Sequence, residues 1–142
     1  MRPLAPFALL ALAGVLGGCL GHGTLRVDAP CREMRSAVAW EMLKDNPSIP
    51  IFDVRQPSDV TQREGRLEHA IPISLERLGG RVPEIERYRD TTVLVFGRDA
   101  DDGRTACQLL SGRGFKYVVF VSDGAEGWYR NGLPSVAPVA HR

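Results

Sequence analysis

The chain of 142 residues has almost no net charge, no long apolar stretch and only three cysteines. Each shortage closes a class of function. Its 18 basic and 17 acidic side chains nearly cancel, and Lys and Arg are scattered along the chain. A nucleic-acid-binding domain needs a basic patch or stripe, so no nucleic-acid partner is expected. The main apolar core, Leu4 to Val15, is too short for a bilayer-spanning helix, which takes roughly 20 apolar residues. The three histidines, His22, His69 and His141, are far apart, and no two share the spacing of a zinc site. No serine sits in a G-x-S-x-G elbow. Neither an internal repeat nor a low-complexity tract is present. No metal and no cofactor is expected.

What is present begins with export. Arg2 precedes the apolar core, and small residues follow it, which is the pattern of a secretory signal. Leu16-Gly17-Gly18-Cys19 resembles the bacterial lipobox. The resemblance implies a signal peptide over residues 1–18, cleavage before Cys19, and fatty acyl chains such as palmitate on that cysteine and on the new amino terminus. One acyl chain anchors only marginally and several anchor durably, so the membrane is an expected partner. Leu20 rather than Asp after the cysteine resembles Gram-negative lipoproteins of the outer membrane facing the periplasm. Residues 19–29 read as a lipidated tether, 30–136 as one domain and 137–142 as a tail. Removing residues 1–18, with Arg2 and no acid, leaves basic and acidic side chains in equal number.

The domain has an ordinary globular composition, 44% hydrophobic and 25% charged. Met34, Ala37, Val38 and Met42 predict an amphipathic helix over Cys31–Leu43, broken by Asn46-Pro47 and Pro50. Strands are predicted at Ile51–Val54, Ala70–Ile73, Thr92–Phe96 and Tyr117–Val121. Short helices are expected at Leu75–Leu78 and Pro83–Tyr88, a longer one at Arg104–Arg113 ending at Gly114, and a last one at Gly124–Arg130. Strands alternating with helices imply an α/β fold with a short parallel sheet covered on both faces. Trp128 is expected to pack on that sheet.

Val93 to Leu110, with Asp53-Val54-Arg55, Gly114-Phe115-x-x-Val118 and Asp123 to Pro134, resembles the rhodanese-like domain family. The match covers about 105 residues in order and is partial over Gly65–Ile71. The resemblance implies that Asp53 and Arg55 make structural contacts behind an active loop. It also implies that the position of Gly97 holds, in active members, a cysteine that carries persulfide sulfur. Four residues and an arginine follow that cysteine in the family pattern.

Here Gly97 supplies no thiol, and six residues separate it from Arg104, so the loop is expected to be two residues longer. Asp99, Asp101 and Asp102 would repel an anionic substrate. Their spacing around Gly103 does not match a calcium loop. Sulfur transfer, and the related phosphatase and arsenate-reductase chemistry, needs a thiolate, so no catalytic residue is assigned. A strand, a tight loop and a helix N-terminus can still hold an anion. Gly97, Arg98, Gly103, Arg104 and Thr105 are therefore the candidate anion or ligand loop. The favoured function is a non-catalytic, lipid-anchored envelope domain that binds a protein or small ligand through the loops at the C-terminal strand ends. The alternative is a sulfurtransferase using a displaced thiol, Cys107 or Cys31. These two cysteines are free or paired with each other.

Overall fold

Val93–Phe96 and Val118–Val121 are buried at every position, and a strand with both faces buried must lie between two covering layers. A computed structural model, describing residues 31–61 and 64–137, places these runs at the centre of a five-stranded parallel sheet. Its strands are β1 (Arg32–Met34), β2 (Ile51–Asp53), β3 (Ile71–Pro72), β4 (Thr92–Phe96) and β5 (Tyr117–Val121), in spatial order β1-β5-β4-β2-β3. The helices are α1 (Ser36–Asp45), α2 (Leu75–Ile85), α3 (Ala100–Gly112) and α4 (Gly124–Arg130).

Successive side chains of a strand point to opposite faces, and the core divides accordingly. Val93, Val95, Val118 and Phe120 pack with Leu78, Val82 and Ile85 of α2 and with Ala106, Cys107 and Leu110 of α3. Leu94, Phe96, Val119 and Val121 pack with Ala39 and Leu43 of α1 and with Ala125 and Trp128 of α4. Trp128 is 2% exposed, as expected, between Phe96 and Trp40. Its indole N–H donates to the Pro134 carbonyl at 2.9 Å.

The start of α1 shows how the two helices on one face of the sheet are fixed to each other. Arg35 gives it no side-chain cap. The Ser36 backbone N–H and hydroxyl instead donate to the two carboxylate oxygens of Asp123, each at 2.8 Å. A carboxylate from the α4 end thereby satisfies an amide that the first turn of α1 leaves free.

Three sequence expectations are corrected. Residues 31–34 are not helical: Arg32–Met34 form a fifth strand, paired with β5 in parallel register from Arg32 against Val119. The strand over Ala70–Ile73 contracts to Ile71–Pro72, an edge strand in which Pro72 offers no amide to the ladder. The helices over Leu75–Leu78 and Pro83–Tyr88 are one element, α2, continued by a tight turn over Glu86–Tyr88. Pro83 cannot donate to the Gly79 carbonyl one turn earlier. Arg113 donates to that carbonyl instead, at 3.0 Å, so the proline is accommodated inside the helix. Cys19, His22 and His141, with the signal, the tether and residues 138–142, lie outside the described residues. Among the described residues no helix is long and apolar enough to cross a membrane.

Candidate active-loop site

The C-terminal ends of β2, β4 and β5 converge where ligands of open parallel sheets bind. At the end of β2, Asp53 and Arg55 form a buried bidentate pair, 1% and 3% exposed. Arg55 Nε and Nη2 donate to the carboxylate at 2.9 and 2.8 Å, and Nη2 also donates to the Gly65 carbonyl at 2.9 Å. The guanidinium lies over the Phe96 ring, 4.8 Å from its centroid. This pair locks the end of β4 and the segment before β3 to one another, the structural role that the resemblance implies.

The loop after β4 differs from its expected form. The helix begins at Ala100, not Arg104, so only Gly97, Arg98 and Asp99 connect β4 to α3. Asp99 caps the helix: its carboxylate accepts from the backbone N–H groups of Asp101 at 3.1 Å and Asp102 at 3.0 Å. Asp101 and Asp102 fill the first turn, where acidic side chains suit the helix dipole. The cap was readable from Asp99 followed by that acidic turn. Gly103 concealed it, because a glycine inside a helix costs about 1 kcal/mol and reads as loop. Its reason is tertiary: a Cβ there would stand 2.9 Å from the Phe120 ring, so glycine lets α3 lie close on β5.

Counted along the chain, the fifth residue after Gly97 is Asp102, and α3 is already under way there. Gly97 itself is enclosed. A Cβ added to it would lie 2.9 Å from the Gly103 amide nitrogen and 3.0 Å from Asp102 Cβ. The turn is pinned from behind as well, because the Ala125 N–H donates to the carbonyls of Gly97 and Arg98 at 3.1 and 3.2 Å. Gly124 makes that approach possible with φ +58°; a side chain there would run into the Arg98 carbonyl.

Of the five candidate loop residues, Gly97 and Arg98 lie in the turn, while Gly103, Arg104 and Thr105 lie in the helix after its first turn. Arg98 meets Asp99 at 3.2 Å, Asp102 at 3.7 Å and Asp59 at 3.8 Å. Arg104 meets Asp101 at 3.1 Å and Glu33 at 3.9 Å, away from the turn, and Thr105 is exposed. Hydrogen bonding from the Asp102 amide, aided by Arg98, holds the Asp99 carboxyl below the usual carboxylate range. Burial and the nearby Asp99 charge push Asp102 upward. The turn therefore presents one guanidinium among three carboxylates, with the Asp101, Asp102 and Gly103 amides already bonded to Asp99.

Cys107 is fully buried on α3 and is joined by a disulfide to Cys31, just before β1, with 5.7 Å between the Cα atoms. Cys31 is therefore not at a helix start. His69 is exposed beside Glu68 at 3.6 Å. Among the described residues no His, Cys, Asp and Glu side chains group as for a metal ion.

Two outcomes follow from the turn. Asp99→Ala is expected to cost about 1 kcal/mol at neutral pH, the usual worth of an N-cap carboxylate. A carboxyl lowered by folding stabilises fully above its unfolded pKa, and that contribution disappears as pH falls through the folded value. The difference between variant and wild type in urea unfolding should accordingly shrink toward about pH 3; an unchanged difference there would refute the capping role. Gly97→Cys is expected to destabilise by about 1–3 kcal/mol through overpacking, measured the same way, and to gain no thiosulfate:cyanide activity.

A family model for the rhodanese-like domain matches residues 36–131. The chain is 29% identical to a sulfurtransferase from Allochromatium vinosum across 75% of this chain and 95% of that one. It is also 29% identical to the chloroplastic protein Thylakoid Rhodanese-Like of Oryza sativa subsp. indica, over 91% of this chain. It spans only 28% of the length of that rice protein. Among solved structures, the Alr3790 protein from Anabaena sp. superposes with a TM-score of 0.64 at 24% identity, covering 75% of this chain and 94% of that one. A thiosulfate sulfurtransferase from Pseudomonas aeruginosa gives 0.61 at 19% identity over 73% of this chain and 20% of its own. At these identities the two structures establish the shared fold.

Proposed function

Given that this chain belongs to the rhodanese-like domain family, we propose that it is a non-catalytic member that binds a protein or small ligand through the loops at the C-terminal strand ends. In this reading it is exported, lipidated at Cys19 and held to the cell envelope. The observation that carries the proposal is the closed turn. Position 97 has neither a thiol nor space for one, and the Asp99 carboxylate takes the helix amides that would stabilise an anionic sulfur. Without a thiolate there is no acceptor for the transferred sulfur.

The disulfide supports the envelope location, since such bonds persist in oxidising compartments. It also weighs against a displaced thiol, because Cys31 and Cys107 are bonded to each other. Purified protein is expected to show no thiosulfate:cyanide turnover above background. Turnover that is lost in Cys31→Ser or Cys107→Ser would overturn the proposal in favour of the displaced-thiol enzyme. Mass spectrometry of the mature amino terminus is expected to find an acylated Cys19; an unmodified terminus would remove the anchor.

A further inference from the structure

A cavity of about 370 Å³ opens on the face covered by α1 and α4, between the end of α1, the start of β2 and the segment after α4. Trp40, Leu43, Ile51, Leu67, Trp128 and Val136 supply apolar surface to its wall. Size and lining match small-molecule sites, which run to roughly 300–1,000 Å³ and are mainly apolar. No residue of the Gly97–Asp102 turn contributes to it.

Its rim decides what it can hold. The Lys44 ammonium is 2.7 Å from the Glu41 carboxylate, and His69 is 3.6 Å from Glu68. The rim's ammonium is thus already matched by a carboxylate, and the Glu68 carboxylate stands in water beside His69. A charged ligand would have to break a pair and set its own charge against apolar walls, which is unfavourable without a compensating partner. Trp128 already donates its indole N–H to Pro134, so it offers ring surface to the cavity. We infer that this cavity binds an uncharged, hydrocarbon-rich small molecule, a site separate from the active-loop position and independent of the non-catalytic reading.

Trp40 and Trp128 are the chain's two tryptophans, and both line the cavity, so intrinsic fluorescence reads this site directly. Three probes with one chain length separate the chemistry: 1-octanol, octanoate and octylammonium. Octanol is expected to give a saturable blue shift as it displaces water beside half-buried Trp40. Hexanol, two methylenes shorter, should bind roughly tenfold more weakly. Both charged probes should be weaker than octanol by about tenfold or more.

Val136 is 48% exposed, and its backbone pairs with Arg66 in both directions at 2.8 Å, so its side chain can change while the pairing stays. Val136→Arg should weaken octanol by about tenfold or more. Val136→Phe, which narrows the mouth without a charge, should weaken it as well, and both variants should unfold near the wild-type temperature. A chain ending at Ala137 should bind octanol as the full chain does.

No saturable shift with octanol, tighter binding of either charged probe, or wild-type octanol affinity in both Val136 variants would each overturn the inference. So would two further results. A change in free-protein emission with rising octanol affinity on truncation at Ala137 would assign the cavity to the chain's own C-terminal residues. Emission that depends on protein concentration would assign it to a second copy.

Discussion

Reduction of the Cys31–Cys107 disulfide is expected to lower the unfolding free energy by about 4 kcal/mol. The two cysteines are 76 residues apart, and cross-linking so long a loop removes much of the unfolded chain's freedom; the chain-entropy relation gives a value of about that size. The native cost should concentrate at one edge of the sheet. β1 has three residues, Arg32 and Glu33 are exposed, and its hold on the domain is the ladder to β5 and this bond, with Met34 against the core and the exposed Glu33–Arg104 contact. Urea unfolding of oxidised protein, of dithiol-reduced protein and of Cys31→Ser would measure the difference. Coincident midpoints, or two free thiols titrated in the unfolded, unreduced protein, would show that the bond contributes nothing or does not form.

Asp53→Ala is expected to destabilise the domain by about 3–5 kcal/mol, the range for removing one partner of a buried ion pair. The reason is the stranded partner. Arg55 has no exposed side-chain surface, and its Nη1 already has no hydrogen-bond partner among the described residues, with the Glu64 carboxylate 4.0 Å away. Removing Asp53 takes away two of the guanidinium's bonds and leaves its charge inside the protein. Asp53→Leu combined with Arg55→Met should recover most of the loss, since a well-packed apolar pair carries no desolvation penalty. A double-mutant cycle by urea unfolding checks both statements. A single-variant cost under about 1 kcal/mol would mean that water reaches the site and relieves the charge.

A structural role for Asp53 and Arg55 was legible only through the family resemblance, because the predicted strand Ile51–Val54 holds one carboxylate and stops short of Arg55; that the two pair with each other is a result of the fold. β4 was legible to the residue, since its five positions Thr92–Phe96 are strand-forming and lie between Asp90 and Gly97. β1 was not: Arg32-Glu33-Met34 has no alternating pattern, and Met34 falls in helical spacing with Ala37, Val38 and Met42. The strand exists because β5 offers an open edge beside it, which only the assembled sheet provides. The active-loop turn failed for a related reason. Local propensity favours ending a helix before Gly103, whereas close packing on Phe120 rewards a glycine there, and the helix runs through it.

By itself the sequence determined the alternation of strands and helices, the missing thiol at position 97 and the presence of Cys31 and Cys107 in the domain, because these are properties of residue identity and period. Only the tertiary structure decided that the turn is closed over Gly97, that α3 starts at Ala100 rather than Arg104, and that Cys31 meets Cys107. Those outcomes depend on how closely α3 and α4 approach the sheet, and that distance is set by side chains far apart in the chain.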